Sequence, residues 1–291
     1  MTGDADDPSV ELTRFETLLA ELSTALVAAL PGEIDALVTR SLERVVGFLD
    51  VDRAAVGRIR ADGSFEVTHS WARPGIEPAA RVPVERFTWY TEEIRRGRVV
   101  VLERLPDDLP ADAFAERDYV ETSGIRAQVT IPLQVAGEPM GGIGFAGFRH
   151  PRAWPPEVVR RMRLVGEVIG AALGRRQSDD SLRRSEARLR AVLESLPDAV
   201  LLLRAGGSVS YANAAASRIA GMPRAALLDM GIELLVPALD GPFRAPTAED
   251  QGGSTHPGVT VRRGDGAGIP VDARLFRIGT DELVCLLRPA R

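Results

Sequence analysis

Between residues 158 and 196 the apolar residues keep helical spacing but change phase. Val158, Met162, Val165, Ile169 and Ala172 hold one heptad register, and Leu182, Leu189, Val192 and Leu196 hold another, with the polar stretch GRRQSDDS between them. Pro197 ends the run. On both sides the pattern turns to strand-type alternation, so the chain is restricted to two strand-containing units on one helical connector with a phase break. At 291 residues and 45% hydrophobic content, there is enough apolar surface for two cores.

The stretch before the connector opens with Leu12, Phe15, Leu19, Leu22 and Leu26, an apolar seam along one helix that Pro31 and Gly32 end. A second helix, roughly Ile34 to Leu49, carries Leu37, Val38, Leu42, Val45, Val46 and Leu49, mainly on one face. The run RAAVGRIRADGSFEVTHSW then reads as two strands about an Asp62-Gly63 turn. Residues 81 to 125 read as helix and loop, with Pro106 and Pro110 in a long connection. GIRAQVTIPLQVAGEPMGGIGFAGF gives two more strands, turning at Ala136-Gly137-Glu138 and thinned by Gly141, Gly142 and Gly144.

After the connector, Val200 to Leu203 and Val209 to Ala212 form a hairpin around a Gly-Gly turn. Asn213 is placed to cap the helix AAASRIA, which Gly221 stops, and Pro223 opens a further short helix. A Gly/Pro-rich middle from 241 to 258 leads to strands at GVTVRR, PVDARLFRI and ELVCLLR.

The order helix, hairpin, long connection, paired strands and exit helix, with its Pro-Leu strand, turn and Gly-rich strand, resembles a GAF domain. The stretch DAVLLLRAGGSVSYANAAASRIAGMPRAALL is similar to the first half of a PAS domain. The pair together resembles the sensory region of bacterial two-component sensor histidine kinases. The resemblance implies an α+β fold class: two antiparallel-sheet sensory domains, GAF-like then PAS-like, joined by a long coiled-coil-type helix. The expected organisation is a disordered N-terminus at 1–10, a dimerisation helix at 11–31, the GAF-like domain at 32–176, a linker helix at 177–196 and the PAS-like domain at 197–291.

Chemistry is narrowed mainly by what the sequence lacks. Net charge is −5, and all 36 basic residues are Arg, which leaves no P-loop lysine, kinase strand lysine or Schiff base. The one cysteine, Cys285, excludes an intrachain disulfide and a cysteine-based zinc site, and fits a reducing cytosol. The GAF-like region has no cysteine for a covalent bilin, and the PAS-like run YANAAASRIAG has none for a flavin-cysteinyl adduct. His69 alternates with Val67 and Trp71 and is read as a packed histidine sharing their face, against heme ligation, while His150 and His256 sit in turn-like, Pro-flanked segments. No histidine lies on the linker helices to accept phosphate, so the chain is expected not to be an enzyme. The start is neither a signal nor a transit peptide, and no apolar window is long enough to span a membrane.

By the GAF resemblance, Trp71, Trp89, Tyr90, Tyr119, Arg126 and Thr130 lie in or beside a ligand pocket, where an Arg among aromatics suits a small anionic or aromatic ligand. The expectation is a cytoplasmic signal-transduction sensor that binds a small ligand or a partner through its GAF and PAS domains and passes the signal along its helix. Homodimerisation through 11 to 30 and 158 to 196, a partner such as a histidine kinase, and no nucleic-acid or membrane partner complete it. Two alternatives stand beside it: the sensory portion of a histidine kinase whose catalytic half is absent, and a ligand-free docking module.

Overall fold

A computed structural model of the chain describes residues 8–79, 83–84, 87–135, 137–239, 253–278 and 282–290. Most of the expected disordered stretch at 1–10 and most of the Gly/Pro-rich middle at 241–258 lie outside those residues, as does Ala136 of the expected turn. The chain divides into two compact units, Met1–Ser181 and Leu182–Arg291.

In chain order the first unit has α1 (Pro8–Ala28), α2 (Ile34–Leu49), β1 (Arg53–Ile59), β2 (Phe65–Ala72), β3 (Pro83–Val84), α3 (Thr88–Arg95), β4 (Val100–Leu102), α4 (Phe114–Ser123), β5 (Ala127–Val135) and β6 (Glu138–Gly147). The strands form one antiparallel sheet in the order β3-β2-β1-β6-β5-β4. The β1–β2 turn forms because the Asp62 carboxylate accepts hydrogen bonds from Ser64 N (2.9 Å) and Oγ (2.7 Å), while Gly63 takes φ +87°, a backbone angle that other residues resist.

Alternation divides this sheet into two unlike faces. Ala54 and Val56 of β1, Val129, Ile131 and Leu133 of β5, and Ile143 and Phe145 of β6 are buried in one core with α1, α2 and the start of the exit helix. Their neighbours Ala55, Gly57, Gly142, Gly144 and Ala146 point the other way, and they are small.

The exit helix α5 (Pro156–Ser195) is a single helix of 40 residues that runs without interruption through GRRQSDDS. The phase change therefore alters which face is apolar without breaking the backbone. Met162, Val165, Ile169 and Ala172 are buried in the first unit's core, whereas Leu182, Leu189 and Val192 are 60%, 63% and 52% exposed. The seam of α1 is likewise taken up inside the first unit: Phe15, Leu18, Leu22 and Leu26 join the same core, and Glu11 pairs with the buried Arg161 of α5. Of the expected seam, Leu19 is only partly buried and Leu12 is exposed.

The second unit continues with β7 (Ala199–Arg204), β8 (Val209–Ala212), α6 (Ala214–Ala220), α7 (Arg224–Leu227), α8 (Ile232–Leu235), β9 (Ser254–Arg262), β10 (Gly268–Ile278) and β11 (Glu282–Pro289). Its antiparallel sheet has the order β8-β7-β11-β10-β9. Strand β9 begins at Ser254, earlier than the expected GVTVRR, so His256 stands in a strand and not in a turn, with Nε2 3.1 Å from Ser254 Oγ. Pro257 is accommodated there because β9 is an edge strand and its pairing with β10 is interrupted by a bulge opposite Val271 and Ala273. Both units are thus antiparallel sheets with helices, an α+β architecture with a long helix between them.

Candidate functional site

The small-residue face of the first sheet is the floor of a cavity of about 520 Å³. Its walls come from α3, α4 and the 102–109 connection, with Phe65, Phe87, Tyr90 and Tyr119 supplying rings. The floor is flat because its side chains are small, and close packing keeps part of it so. A Cβ on Gly57 would lie 2.2 Å from the Phe65 ring.

At one end, the Tyr90 hydroxyl lies 2.7 Å from Thr130 Oγ1, and Gln128 Nε2 donates to both oxygens, at 3.2 and 3.1 Å. Tyr90 is partly buried: its ring is part of the cavity wall, while the hydroxyl is held by these partners. Burial pushes its phenol up to about 12, and the hydrogen bonds from Thr130 and Gln128 only partly oppose this. The ring meets Phe65 edge-on at 5.6 Å, and Phe87 touches both Tyr90 (6.3 Å) and Tyr119 (5.2 Å).

Two charged side chains line the same cavity and are at least nine-tenths buried: Arg53 is 7% exposed and Glu116 5%. The Arg53 guanidinium donates to Tyr119 Oη (3.2 Å) and the Glu77 carbonyl (3.3 Å) and lies 4.8 Å above the Phe148 ring. Glu116 Oε1 accepts from Tyr90 N at 3.1 Å, so α4 caps the first turn of α3, where the residue before the helix, Phe87, has no acceptor of its own. Neither Arg53 nor Glu116 forms an ion pair among the described residues.

Of the six residues expected at the pocket, Tyr90 and Tyr119 line it and Thr130 anchors Tyr90 from beneath. Trp71, Trp89 and Arg126 do not line it. The alternation read for β2 fails at Thr68, where a bulge sets Val67 opposite Gly57 but His69 opposite Val56. Val67 therefore lines the cavity, whereas His69 and Trp71 turn to the core face and do not share its side. On that face His69 Nε2 lies 2.7 Å from Asp35 Oδ1 and Nδ1 2.9 Å from Thr68 Oγ1. Trp89 packs beside Val100, Leu102 and Val120, and Arg126 is an exposed residue held through its backbone to Leu105 and Gly147.

Sequence reading missed Arg53, Glu116 and Gln128. A signal for Arg53 was present: RAAVGRI places a charge at the head of a strand whose next two positions on the same face are Ala55 and Gly57. Glu116 carried no such signal, because its neighbours in space belong to α3.

The second unit holds a different kind of polar centre. Asn213, fully buried, accepts from Val200 N (3.0 Å) and Ala216 N (2.9 Å) and donates to the Leu193 (2.9 Å) and Asp198 (3.1 Å) carbonyls. It caps α6 as its position implied, and it also ties the last turn of α5 to the sheet. Glu194 adds to this tie, accepting from Tyr211 Oη (2.9 Å) and Ala214 N (2.8 Å) and pairing with Arg224.

Residues 33–173 match the family model of the GAF domain, and residues 187–252 match that of the PAS domain. No curated protein matches the chain. Similar solved structures include the photoproduct state of GAF3 from Slr1393 of Synechocystis sp. PCC6803, at 21% identity over 50% of this chain and 96% of that one, TM-score 0.43. They also include the Thermosynechococcus elongatus PixJ GAF domain, at 16% identity over 62% and 96%, TM-score 0.43. A third is the phycocyanobilin-bound GAF domain from a cyanobacterial phytochrome, at 17% identity over 57% and 96%, TM-score 0.48. The expectation that set a covalent bilin aside is corrected to this extent: the solved GAF domains similar to this chain include a phycocyanobilin-bound and a biliverdin-bound one. That expectation rested on a missing cysteine, which bears on a covalent bond to the chromophore and not on whether a cavity holds one.

Proposed function

We propose that this chain, a GAF domain followed by a PAS domain, is a cytoplasmic signal-transduction sensor whose GAF cavity takes a small ligand. The cavity itself carries the reading: a volume of about 520 Å³ on a sheet face lined by glycine and alanine, with two buried charged residues in its lining. A face meant only for packing has no use for such a gap, because voids and unpaired buried charges both destabilise a fold.

In this reading the ligand biases the walls formed by α3 and α4, and the signal leaves along α5. The exposed Leu182, Leu189 and Val192 support a homodimer through the second half of that helix, at spacings that place them on one stripe. Most of the α1 seam is buried in the first unit, so the proposed dimer contact is placed on this stripe. The chain turns over no substrate and hands its output to a separate signalling protein such as a histidine kinase. Among the described residues no helix is long and apolar enough to cross a membrane.

Native mass spectrometry of the purified chain tests this directly. The expected result is a dimer that retains a small molecule, and absorbance after purification from cells supplied with biliverdin or phycocyanobilin asks whether bilins belong to the ligand class. A chain that remains bare from every source and shows no mass shift with any metabolite extract would sink the ligand reading. A monomer would remove the helix-stripe mechanism.

A further inference from the structure

The geometry points to the ligand's class: an anion that also offers an N–H donor, its anionic group on Arg53 and its donor on Glu116. This rests on the reading of the cavity as a ligand site and specifies what that site selects. Arg53 has five N–H donors, of which two are used, by Tyr119 Oη and the Glu77 carbonyl. Glu116 uses one carboxylate oxygen, on Tyr90 N. Both side chains line the cavity, both are buried, and no ion pair joins either to another described residue.

Opposite charges in one enclosed space normally neutralise each other by direct contact, because an uncompensated charge out of water is costly. Here no ion pair joins them, and each lines the cavity with hydrogen-bonding capacity left over. A molecule that fits must complement both, with an acceptor anion at one point and a donor at the other. The rest of the lining is small or aromatic: Ala55, Gly57, Gly142 and Gly144 from the sheet, and the rings of Phe87, Tyr90 and Tyr119, steeply inclined to one another. An aromatic ligand body suits such a lining.

Calorimetric titration of the full chain with three probes tests the assignment: indoleacetate, its methyl ester and its N-methyl analogue. The acid presents both groups, the ester lacks the anion and the N-methyl compound lacks the donor. Indoleacetate is expected to bind about ten-fold more tightly than either, the scale of one charge-assisted hydrogen bond. In Arg53→Met the acid is expected to fall to the level of the ester, and Arg53→Lys, which keeps the charge without the fork, to lie between. Equal affinity for the acid and either analogue, or no binding by any of the three, overturns the class. The cavity reading is judged separately by Gly144→Leu, which fills the floor. Loss of all binding there leaves the cavity standing as the site whatever the class, whereas unchanged binding overturns both.

Discussion

Arg53 in the first unit and Asn213 in the second are both buried polar side chains, and they are treated in opposite ways. Asn213 makes four hydrogen bonds, two accepted and two donated, and is left with no unmet demand. Arg53 makes two and opens on a cavity. A buried polar group whose partners all come from the chain fixes the structure around it, while one with spare capacity facing an enclosed space is available to something outside the chain. The same contrast runs through the first sheet, whose core face is filled with Ile143 and Phe145 while its other face is emptied by Gly142 and Gly144.

The largest effect is expected from breaking the filled face. Phe145→Ala removes a wholly buried ring and is expected to destabilise the first unit by about 4 kcal/mol, measured by denaturant unfolding. Next comes Asn213→Ala, which leaves two buried amides, Val200 N and Ala216 N, without their acceptor and removes the donor to the Leu193 and Asp198 carbonyls. The expected loss is about 3 kcal/mol, confined to hydrogen exchange in the second unit, and equal loosening of both units would show that the contrast between them is misplaced.

Tyr90→Phe is smaller, about 1 kcal/mol near neutral pH, for the loss of its bonds to Thr130 and Gln128. Its signature is the alkaline limb. Because burial raises the folded phenol from 10 to about 12, the fold favours the protonated form, so the stabilisation is full below pH 10 and fades as pH climbs from there to about 12. Tyr90→Phe is expected to remove that decline from the first unit. Burial pushes the Cys285 thiol up to about 12 as well, so Cys285→Ala isolates the corresponding decline in the second. The smallest effect belongs to Gly144→Ala: its Cβ would find Thr130 Oγ1 at 3.5 Å and Gln128 Nε2 and the Tyr90 hydroxyl at 3.7 Å, ordinary van der Waals contacts. Stability is expected to change by less than about 0.5 kcal/mol, and a large loss in thermal unfolding would mean that the face is packed and not hollow.

How legible all this was in sequence depended on whether a signal was local. The α2 stripe, the Asp62-Gly63 turn and the Asn213 cap rest on neighbours within a few residues, and each is found where the spacing placed it. Trp71 and His69 were assigned a face by alternation alone, and a bulge at Thr68, required by pairing with β1, reversed the relation to Val67. Seam residues on α1 read as a dimer contact because nothing in their spacing says which apolar surface will cover them; α2 and α5 of the same unit do.

By itself, then, the sequence determined two strand-containing units and a helix between them, since the hydrophobic period that encodes such elements is written residue by residue. The cavity and its charges were decided only by tertiary structure. Arg53, Glu116 and Gln128 lie on β1, α4 and β5, far apart in the chain, and only sheet register and helix placement bring them around one space. Burial, pairing and unpairing are properties of that assembled geometry, so they have no local trace to read.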